Sequence, residues 1–342
     1  MNKEYKTVDE MIDYLRENKR IIVSDEYRKV FEERSYISLI NPYKEFFSYG
    51  RNEKGEHIYP VDTDFEKIMT LVKIDDIFCE ILYRFIGTFE KKFKNILFNE
   101  ICLKYVDECD EKECISYVCE IEKFLTTGCY EDLPRFCLNY RYTATKKNGY
   151  VLDNFQEERR KALLVHIKEI GTGKSEDGSL VDISNKLILH YINIQNIVPL
   201  WVVPNALTLG ELTALYTMLD SFSQRRIIMK MYSIEELAKV DFKKIVSFCG
   251  QLEMIRRMRN IVNHYEPIFP LFINDLKNTK KIKSSQISAV MDLLESNYNE
   301  SSFSEFTLKE IDTERNAYNS KSLKIFEYIN EVIHKQNKRQ AP

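Results

Sequence analysis

Glycine and proline are scarce in this sequence, which has 10 glycines and 8 prolines among 342 residues. Together they make up about half of the usual share in soluble proteins. Both residues interrupt helices, glycine through its backbone freedom and proline through its missing N–H group. With 44% hydrophobic and 30% charged residues, the composition predicts an ordered, mostly helical protein that is long enough to bury a substantial core.

Sequence features that define several other protein classes are also missing. The chain has eight cysteines, but no two have the C-x-x-C spacing, and no histidine lies near them at a zinc-site spacing. No segment approaches about 18 continuous apolar residues, and the N-terminus has no apolar run of the signal-peptide type. We therefore expect a cytoplasmic protein with reduced thiols, no metal site, no cofactor and no membrane span.

Positive charge is not in excess either, because the formal net charge is -3. A nucleic-acid site would therefore be a local basic patch. Residues 135–147 interleave basic and aromatic side chains, as surfaces for single-stranded nucleic acids do. Many solvated helix faces have the same pattern, so both interpretations stay open. The candidate RNA-binding residues are Arg135, Tyr140, Arg141, Lys146, Lys147, Arg256, Lys280 and Lys281.

Apolar residues recur at intervals of three and four along most of the chain, which is typical of helices with one buried face. The longest such run, residues 64–105, predicts one helix of about 40 residues. Five Ser/Thr–Glu pairs fit the capping box that starts a helix, namely Thr7 with Glu10, Thr63 with Glu66, Thr208 with Glu211, Ser233 with Glu236 and Thr307 with Glu310. Further helices are predicted over residues 7–18, 24–34, 153–171, 179–196, 234–248, 286–298 and 321–335. Residues 106–150 are expected to be helical with loops, and residues 208–232 to form one or two helices.

These patterns predict an all-α fold in a single unit over residues 1–342. Residues 1–62 form an N-terminal accessory segment, residues 63–276 a helical core, and residues 277–342 C-terminal accessory helices. Within the accessory segment, the glycines and proline of residues 49–62 predict a loop or hairpin.

Residues 254–265 have an apolar helical stripe and include Arg259, Asn260 and His264. Pro267 disfavours the helical conformation in the residue before it, so we expect the helix to end near His264. On an ideal helix Asn260 and His264 lie on nearly the same face, whereas Arg259 lies about 140° from His264. The long arginine side chain can curl back toward the histidine, or it can serve a site shared by two subunits.

These three side chains suit the cleavage of RNA, which carries its own nucleophile in the 2′-hydroxyl. Histidine transfers protons near neutral pH because its ordinary pKa is about 6.5. Arginine stays charged and offers a planar fork that matches phosphate oxygens. Asn260 would hold the imidazole or a phosphate oxygen. The predicted catalytic residues are therefore Arg259, Asn260 and His264.

The spacing Arg259-Asn260-x-x-x-His264 resembles the Arg–four-to-six–His motif of the HEPN ribonucleases, in which a polar residue often follows the arginine. Two further stretches look like segments of the abortive-infection (Abi) family of bacterial HEPN proteins. Residues 199–212 resemble its Trp-containing segment, and residues 34–43 resemble its Tyr-rich entry segment. The order of the three stretches and the chain length also fit that family.

The chain departs from the Abi pattern at two places. Family members often continue past the histidine with a basic residue and a Trp-Asn pair, whereas this chain continues with Tyr265, Glu266 and Pro267. An acidic residue that is common after the tryptophan is Asn205 here. Both departures affect the expected substrate contacts more than the catalytic pair.

The resemblance implies a HEPN-like helical bundle and a metal-independent RNA endonuclease that acts in abortive infection, in phage defence or as a toxin. HEPN enzymes place two motifs at a dimer interface, so one motif per chain implies a homodimer with two-fold symmetry. An alternative is a non-catalytic RNA-binding protein held by a structured non-coding RNA, as in toxin–antitoxin pairs. A helical scaffold without RNA contact is a third possibility.

Two other arginine–histidine pairs satisfy the loose spacing. Arg51 and His57 lie in a polar string that is typical of a surface turn, where nothing would hold the histidine rigidly. Arg160 and His166 lie on a predicted helix but lack the following asparagine, and His166 is expected to pack partly in the interior. We therefore expect neither pair to be catalytic.

Overall fold

The computed structural model describes residues 5–53, 55–60, 63–108, 154–175, 177–181, 183–195, 198–219, 221–278, 286–297 and residue 327. Contacts divide the chain into two compact units. The first unit comprises Met1–Ile86 and Arg257–Pro342, and the second comprises Gly87–Arg256. The described residues are mostly helical, which confirms the all-α class. The division into accessory segments and a core over residues 63–276 stays a prediction.

The first unit opens with helix α1 (Val8–Lys19), whose start is fixed by the predicted capping box of Thr7 and Glu10. Strand β1 (Ile21–Ile22) follows and pairs in parallel with strand β4 (Thr63–Asp64). Strands β2 (Gly50–Arg51) and β3 (His57–Ile58) form the expected hairpin, with Gly55 at φ 77°. Between β1 and β2 lie a 3-10 turn (Asp25–Tyr27) and helices α2 (Arg28–Glu33), α3 (Tyr36–Leu39) and α4 (Lys44–Phe47).

Helix α5 (Phe65–Glu108) is the long helix that the sequence predicts, and its residues are shared between the two units. Its capping differs from the prediction, because Asp64 rather than Thr63 accepts a bond from the backbone N–H of Glu66, at 2.9 Å. The Thr63 hydroxyl instead donates to the carbonyl of Pro60 at 3.1 Å. The capping box fails here because Thr63 is already part of a strand pair.

Near the C-terminus of the chain, the first unit also contains two further helices, α11 (Phe269–Asn278) and α12 (Gln286–Ser296). Aromatic rings join α11 to the earlier helices. The ring centroids of Phe272 and Phe78 lie 5.5 Å apart, and those of Phe269 and Phe46 lie 5.9 Å apart. The core of this unit therefore depends on residues from both ends of the chain.

The second unit contains α6 (Asn154–Thr172), α7 (Lys186–Gln195), a 3-10 turn (Val203–Ala206), α8 (Leu209–Met218), α9 (Ser221–Met231), a 3-10 turn (Leu237–Lys239) and most of α10 (Phe242–Asn263). Its core includes the rings of Phe93, Tyr216 and Phe248, whose centroids lie 5.3 to 6.1 Å apart. Thr208 and Glu211 form the predicted capping box at the start of α8.

Two predicted helix starts in the second unit are wrong. The helix expected over residues 179–196 begins only at Lys186, after Leu180 pairs with Lys174 in an isolated β-bridge. The helix expected over residues 234–248 and the motif helix are a single element, α10, which begins at Phe242. Ser233 has φ 53° and does not form the predicted capping box with Glu236. The Asp241 carboxylate caps α10 instead, accepting from the backbone N–H of Lys244 at 2.9 Å.

No helix among the described residues is both long enough and apolar enough to cross a membrane. The predicted helices over residues 106–150 and 321–335 lie largely outside the described residues.

Candidate functional site at the end of helix α10

Helix α10 ends at Asn263, next to the position that Pro267 predicts. The N–H of Glu266 donates to the carbonyl of Ile261 at 3.0 Å, and the N–H of Tyr265 donates to that of Val262 at 3.3 Å. This pair of bonds is the Schellman motif, which satisfies the last carbonyls of a helix. It requires a left-handed residue, and Tyr265 takes that role with φ 54°. His264 is the helix C-cap.

Asn260 and His264 lie one turn apart, and both are exposed. The N–H of His264 donates to the carbonyl of Asn260 at 3.1 Å, so the helical geometry extends to the histidine backbone. The two side chains therefore lie on one face of the helix end, as the spacing predicts.

Arg259 extends along the helix toward the same end. When the Asn263 amide is oriented with its oxygen facing Arg259, that oxygen accepts from Nη1 at 3.1 Å and from Nε at 3.2 Å. Arg259 is half-buried, and Asn263 lies one turn closer to the histidine. The bonds to Asn263 direct the guanidinium toward the last turn, where the negative end of the helix dipole favours a cation. Sequence reasoning did not single out Asn263, although its spacing of four from Arg259 is the signal for such a contact.

The chain that follows His264 is tied to helix α5 by Asp75, which is 1% exposed. Its carboxylate accepts from the N–H groups of Ile268 at 3.2 Å and Phe269 at 3.3 Å. The hydroxyl of Tyr43 donates to it at 2.9 Å. Because Phe269 is the first residue of α11, Asp75 satisfies the free N–H groups at the start of that helix.

Burial raises the pKa of Asp75 to about 7, although the hydrogen bonds from Tyr43, Phe269 and Ile268 act in the opposite direction. Cys79, one turn along α5, lies 3.8 Å from the carbonyl of Glu266 through its sulfur atom. Burial also raises the pKa of the Cys79 thiol, which makes it a poor nucleophile. The turn between α10 and α11 is thus held from behind by two α5 side chains.

Asp75 was not predicted from the sequence, although its position among apolar residues of α5 indicates that it is buried. The residues Leu71, Phe78 and Leu82 are all buried on one stripe of α5, and Asp75 occupies the position between the first two. An aspartate at a core position needs buried donors, which is the pattern seen here.

The two ends of the Tyr-rich segment, residues 34–43, both dock on α5. Tyr43 bonds to Asp75, and Arg34 Nη2 donates to Asp76 Oδ2 at 2.7 Å. In the Trp-containing segment, Leu200, Val202 and Val203 are buried, whereas Trp201 is 54% exposed. Asn205 accepts from Lys94 Nζ at 3.5 Å.

His57 and His166, the histidines of the two other arginine–histidine pairs, both lie near carboxylates. His57 contradicts the expectation of a loosely held surface residue, because its side chain is 9% exposed and Nδ1 lies 2.8 Å from the hydroxyl of Ser48. Its Nε2 also lies 3.9 Å from Oε1 of Glu45, whose side chain is 11% exposed. His166 is 44% exposed, and its ring nitrogens lie 3.9 Å from Glu169 and 3.4 Å from Glu211.

Only part of the candidate RNA-binding surface falls in the described residues. Arg256 is half-buried and makes two bonds to the carboxylate of Glu253, at 2.9 and 2.8 Å. The other seven residues of that prediction lie outside the described residues, namely Arg135, Tyr140, Arg141, Lys146, Lys147, Lys280 and Lys281. Within the part of the chain that the structure describes, no group of three or more His, Cys, Asp or Glu side chains could hold a metal ion.

The fold and this site define a helical protein with an exposed histidine and an arginine at one helix end. A family model described as Abi-like protein matches residues 29–270, which include all three segments discussed above. The chain therefore belongs to the Abi-like family, and this membership suggests a role in abortive infection or phage defence. Comparison with curated proteins and with solved structures gave no match.

Proposed function

We propose that this protein is a metal-independent RNA endonuclease of the HEPN type, with Arg259, Asn260 and His264 in its active site. One observation carries the proposal: with the Asn263 amide oxygen facing Arg259, the guanidinium bonds to Asn263 in the turn on which His264 is exposed. The Schellman motif and Asp75 hold that turn. A fixed cation and a proton-transferring group at one rigid site are what phosphodiester cleavage needs.

The reaction that fits these groups is transesterification. The 2′-oxygen of a ribose attacks the adjacent phosphorus, the bond from phosphorus to the 5′-oxygen breaks, and a 2′,3′-cyclic phosphate and a 5′-hydroxyl result. One proton leaves the 2′-hydroxyl and one is delivered to the 5′-oxygen, so protons balance. Arg259 stabilises the charge on the phosphorus-bound oxygens, and His264 handles a proton.

Two proton transfers favour two histidines, and the C-terminal end of α10 supplies one per chain, His264. A second copy of the chain would provide the other if the two α10 ends face each other across a two-fold axis. The resulting homodimer is part of the proposal. Bacterial growth arrest through cleavage of host or phage RNA would then account for the abortive-infection role.

The test measures cleavage of a mixed RNA pool by the purified protein and by matched variants. We expect His264→Ala and Arg259→Ala each to reduce the rate by at least about 100-fold, with helicity and thermal midpoint nearly unchanged. His166→Ala is the control, since it removes a half-exposed histidine from one of the two other arginine–histidine pairs. Chelators should leave the rate intact, and light scattering should show a dimer at assay concentration.

Four results would count against the proposal. If His264→Ala still cleaves, or if products carry 5′-phosphate ends, another mechanism operates. If the wild type binds RNA tightly, with the salt dependence of phosphate contacts, but never cleaves it, the protein is a non-catalytic RNA-binding module held by a structured non-coding RNA. An active monomer would remove the argument for two facing helix ends.

A further inference from the structure

Tyr265 combines an unfavourable backbone conformation with an extreme exposure of its side chain. Its φ of 54° lies in the left-handed region, which glycine adopts at this position of a Schellman motif far more readily than a bulky residue does. Its side chain is 95% exposed, the highest value among the large apolar and aromatic side chains of the described residues. Neither feature contributes to the core.

The backbone around this ring is nevertheless held firmly. The N–H groups of Tyr265 and Glu266 close the helix end. Asp75 binds the N–H groups of Ile268 and Phe269 a few residues further on. An aromatic ring is thus displayed into solvent from a rigid turn, one residue after His264. Strained residues that the surrounding structure over-determines are found preferentially at functional sites.

We propose that Tyr265 is a stacking platform for an unpaired nucleobase of the RNA substrate, next to the phosphate that is cleaved. This inference rests on the proposed function and narrows its substrate to single-stranded or looped RNA. Only unpaired bases offer a free face to an aromatic ring, and such stacking tolerates any base. The site would therefore select RNA by its lack of pairing more than by its sequence.

The chain neighbours of the ring favour a nucleobase over an apolar partner surface. Asn260, His264 and Glu266 are exposed, and Asn263 is half-buried. These residues precede and follow Tyr265 in the chain, and their side chains form hydrogen bonds. A protein-binding patch, by contrast, is contiguous and apolar. A ring for stacking and an arginine for phosphate are the two components of surfaces that bind single-stranded nucleic acids.

The decisive variant is Tyr265→Gly, because it removes the ring and also relieves the backbone strain. We expect a thermal midpoint equal to or higher than that of the wild type, together with weaker binding of single-stranded RNA. Tyr265→Phe keeps the ring and should behave as the wild type. Tyr265→Asn provides a second ring-free variant, since asparagine tolerates the left-handed conformation. Tyr83→Ala is the control, because it removes a 59% exposed tyrosine from α5.

Binding is measured in a His264→Ala background with a short single-stranded RNA that carries 2-aminopurine, whose fluorescence falls on stacking. Tyr265→Gly and Tyr265→Asn should weaken binding about tenfold and abolish the quenching, whereas Tyr265→Phe and Tyr83→Ala should not. Binding to duplex RNA should change less than twofold. If the protein with Tyr265→Gly binds single-stranded RNA as tightly as the protein that keeps Tyr265, the inference is wrong.

The outcomes separate this inference from the proposed function. If cleavage depends on His264 while Tyr265→Gly cleaves and binds single-stranded RNA as the wild type does, the proposed function stands and the stacking platform is wrong. If no cleavage occurs but binding and quenching depend on the ring, the stacking platform stands and the catalytic proposal fails. If Tyr265→Gly dissociates a dimer in the absence of RNA, the ring is a contact between two copies, and the inference is wrong.

Discussion

Two carboxylates on helix α5 are almost completely buried, and the protein satisfies them in different ways. Asp75, in the first unit, accepts hydrogen bonds from one tyrosine hydroxyl and two backbone N–H groups. Glu100, in the second unit, lies 3.0 Å from Arg226 Nε and 3.2 Å from Lys230 Nζ. One site has neutral donors, and the other has two positive charges.

The difference shows what each carboxylate does for its unit. Neutral donors satisfy the geometry of Asp75 but do not offset its charge, so burial raises its pKa to about 7. The two cations at Glu100 offset its charge directly, and they remain 34% and 35% exposed. Asp75 therefore fixes the backbone of a turn and a helix start, whereas Glu100 links α5 to α9 by charge.

The largest effect is expected when Glu100 loses both cations. Replacing Arg226 and Lys230 by methionine leaves a buried carboxylate without a counter-charge, which should cost about 3–5 kcal/mol in the free energy of unfolding. Urea unfolding measures this loss. Adding Glu100→Gln to the double variant removes the uncompensated charge and should restore most of the stability. If the triple variant is no more stable than the double one, lost packing rather than charge explains the effect.

A smaller loss is expected for Asp75→Ala, which leaves two buried N–H groups and one hydroxyl without an acceptor. We expect about 2–3 kcal/mol of destabilisation, together with reduced RNA cleavage because the turn behind His264 loosens. The matched control is Asp76→Ala, which breaks a pair with Arg34 in which both side chains are nearly half exposed and should cost less than about 1 kcal/mol. Similar losses for the two variants would show that the hydrogen bonds of Asp75 stabilise the protein no more than an exposed ion pair does.

The smallest of the three effects is the pH dependence that Asp75 imposes. The unfolded chain loses this proton near pH 3.9, whereas the folded protein keeps it up to a pKa of about 7. Between these values only the folded state holds the proton, so stability falls as pH rises toward 7 and then levels off.

From pH 5 to pH 7 this fall should be about 2 kcal/mol relative to Asp75→Asn, which mimics the protonated side chain and cannot titrate. Urea unfolding of both proteins across the range isolates the contribution of this group. Parallel curves for the two proteins would mean that Asp75 is ionised throughout, as a carboxylate with a compensating charge would be.

The sequence was sufficient for several features that depend on neighbouring residues. Thr7 with Glu10 and Thr208 with Glu211 form the capping boxes their spacing predicts, and the helix ends three residues before Glu266 and four before Pro267. These features are local, because each involves residues within one turn of each other.

Other features depend on residues far apart in the chain and could not be foreseen. Thr63 fits a capping box but is held in a strand pair with Ile21, more than forty positions earlier. Asp75 finds its donors almost two hundred residues later, at Ile268 and Phe269. The exposure of Tyr265 follows from the left-handed turn, a conformation that its residue type argues against.

The discontinuity of the first unit has a consequence for how the protein is made. A ribosome releases Met1–Ile86 long before Arg257–Pro342, with the whole second unit synthesised in between. Until Ile268 and Phe269 emerge, Asp75 lacks two of its donors and Phe78 lacks the ring of Phe272. The turn that carries His264 is therefore completed only late in translation, so a nascent or prematurely terminated chain lacks the assembled turn.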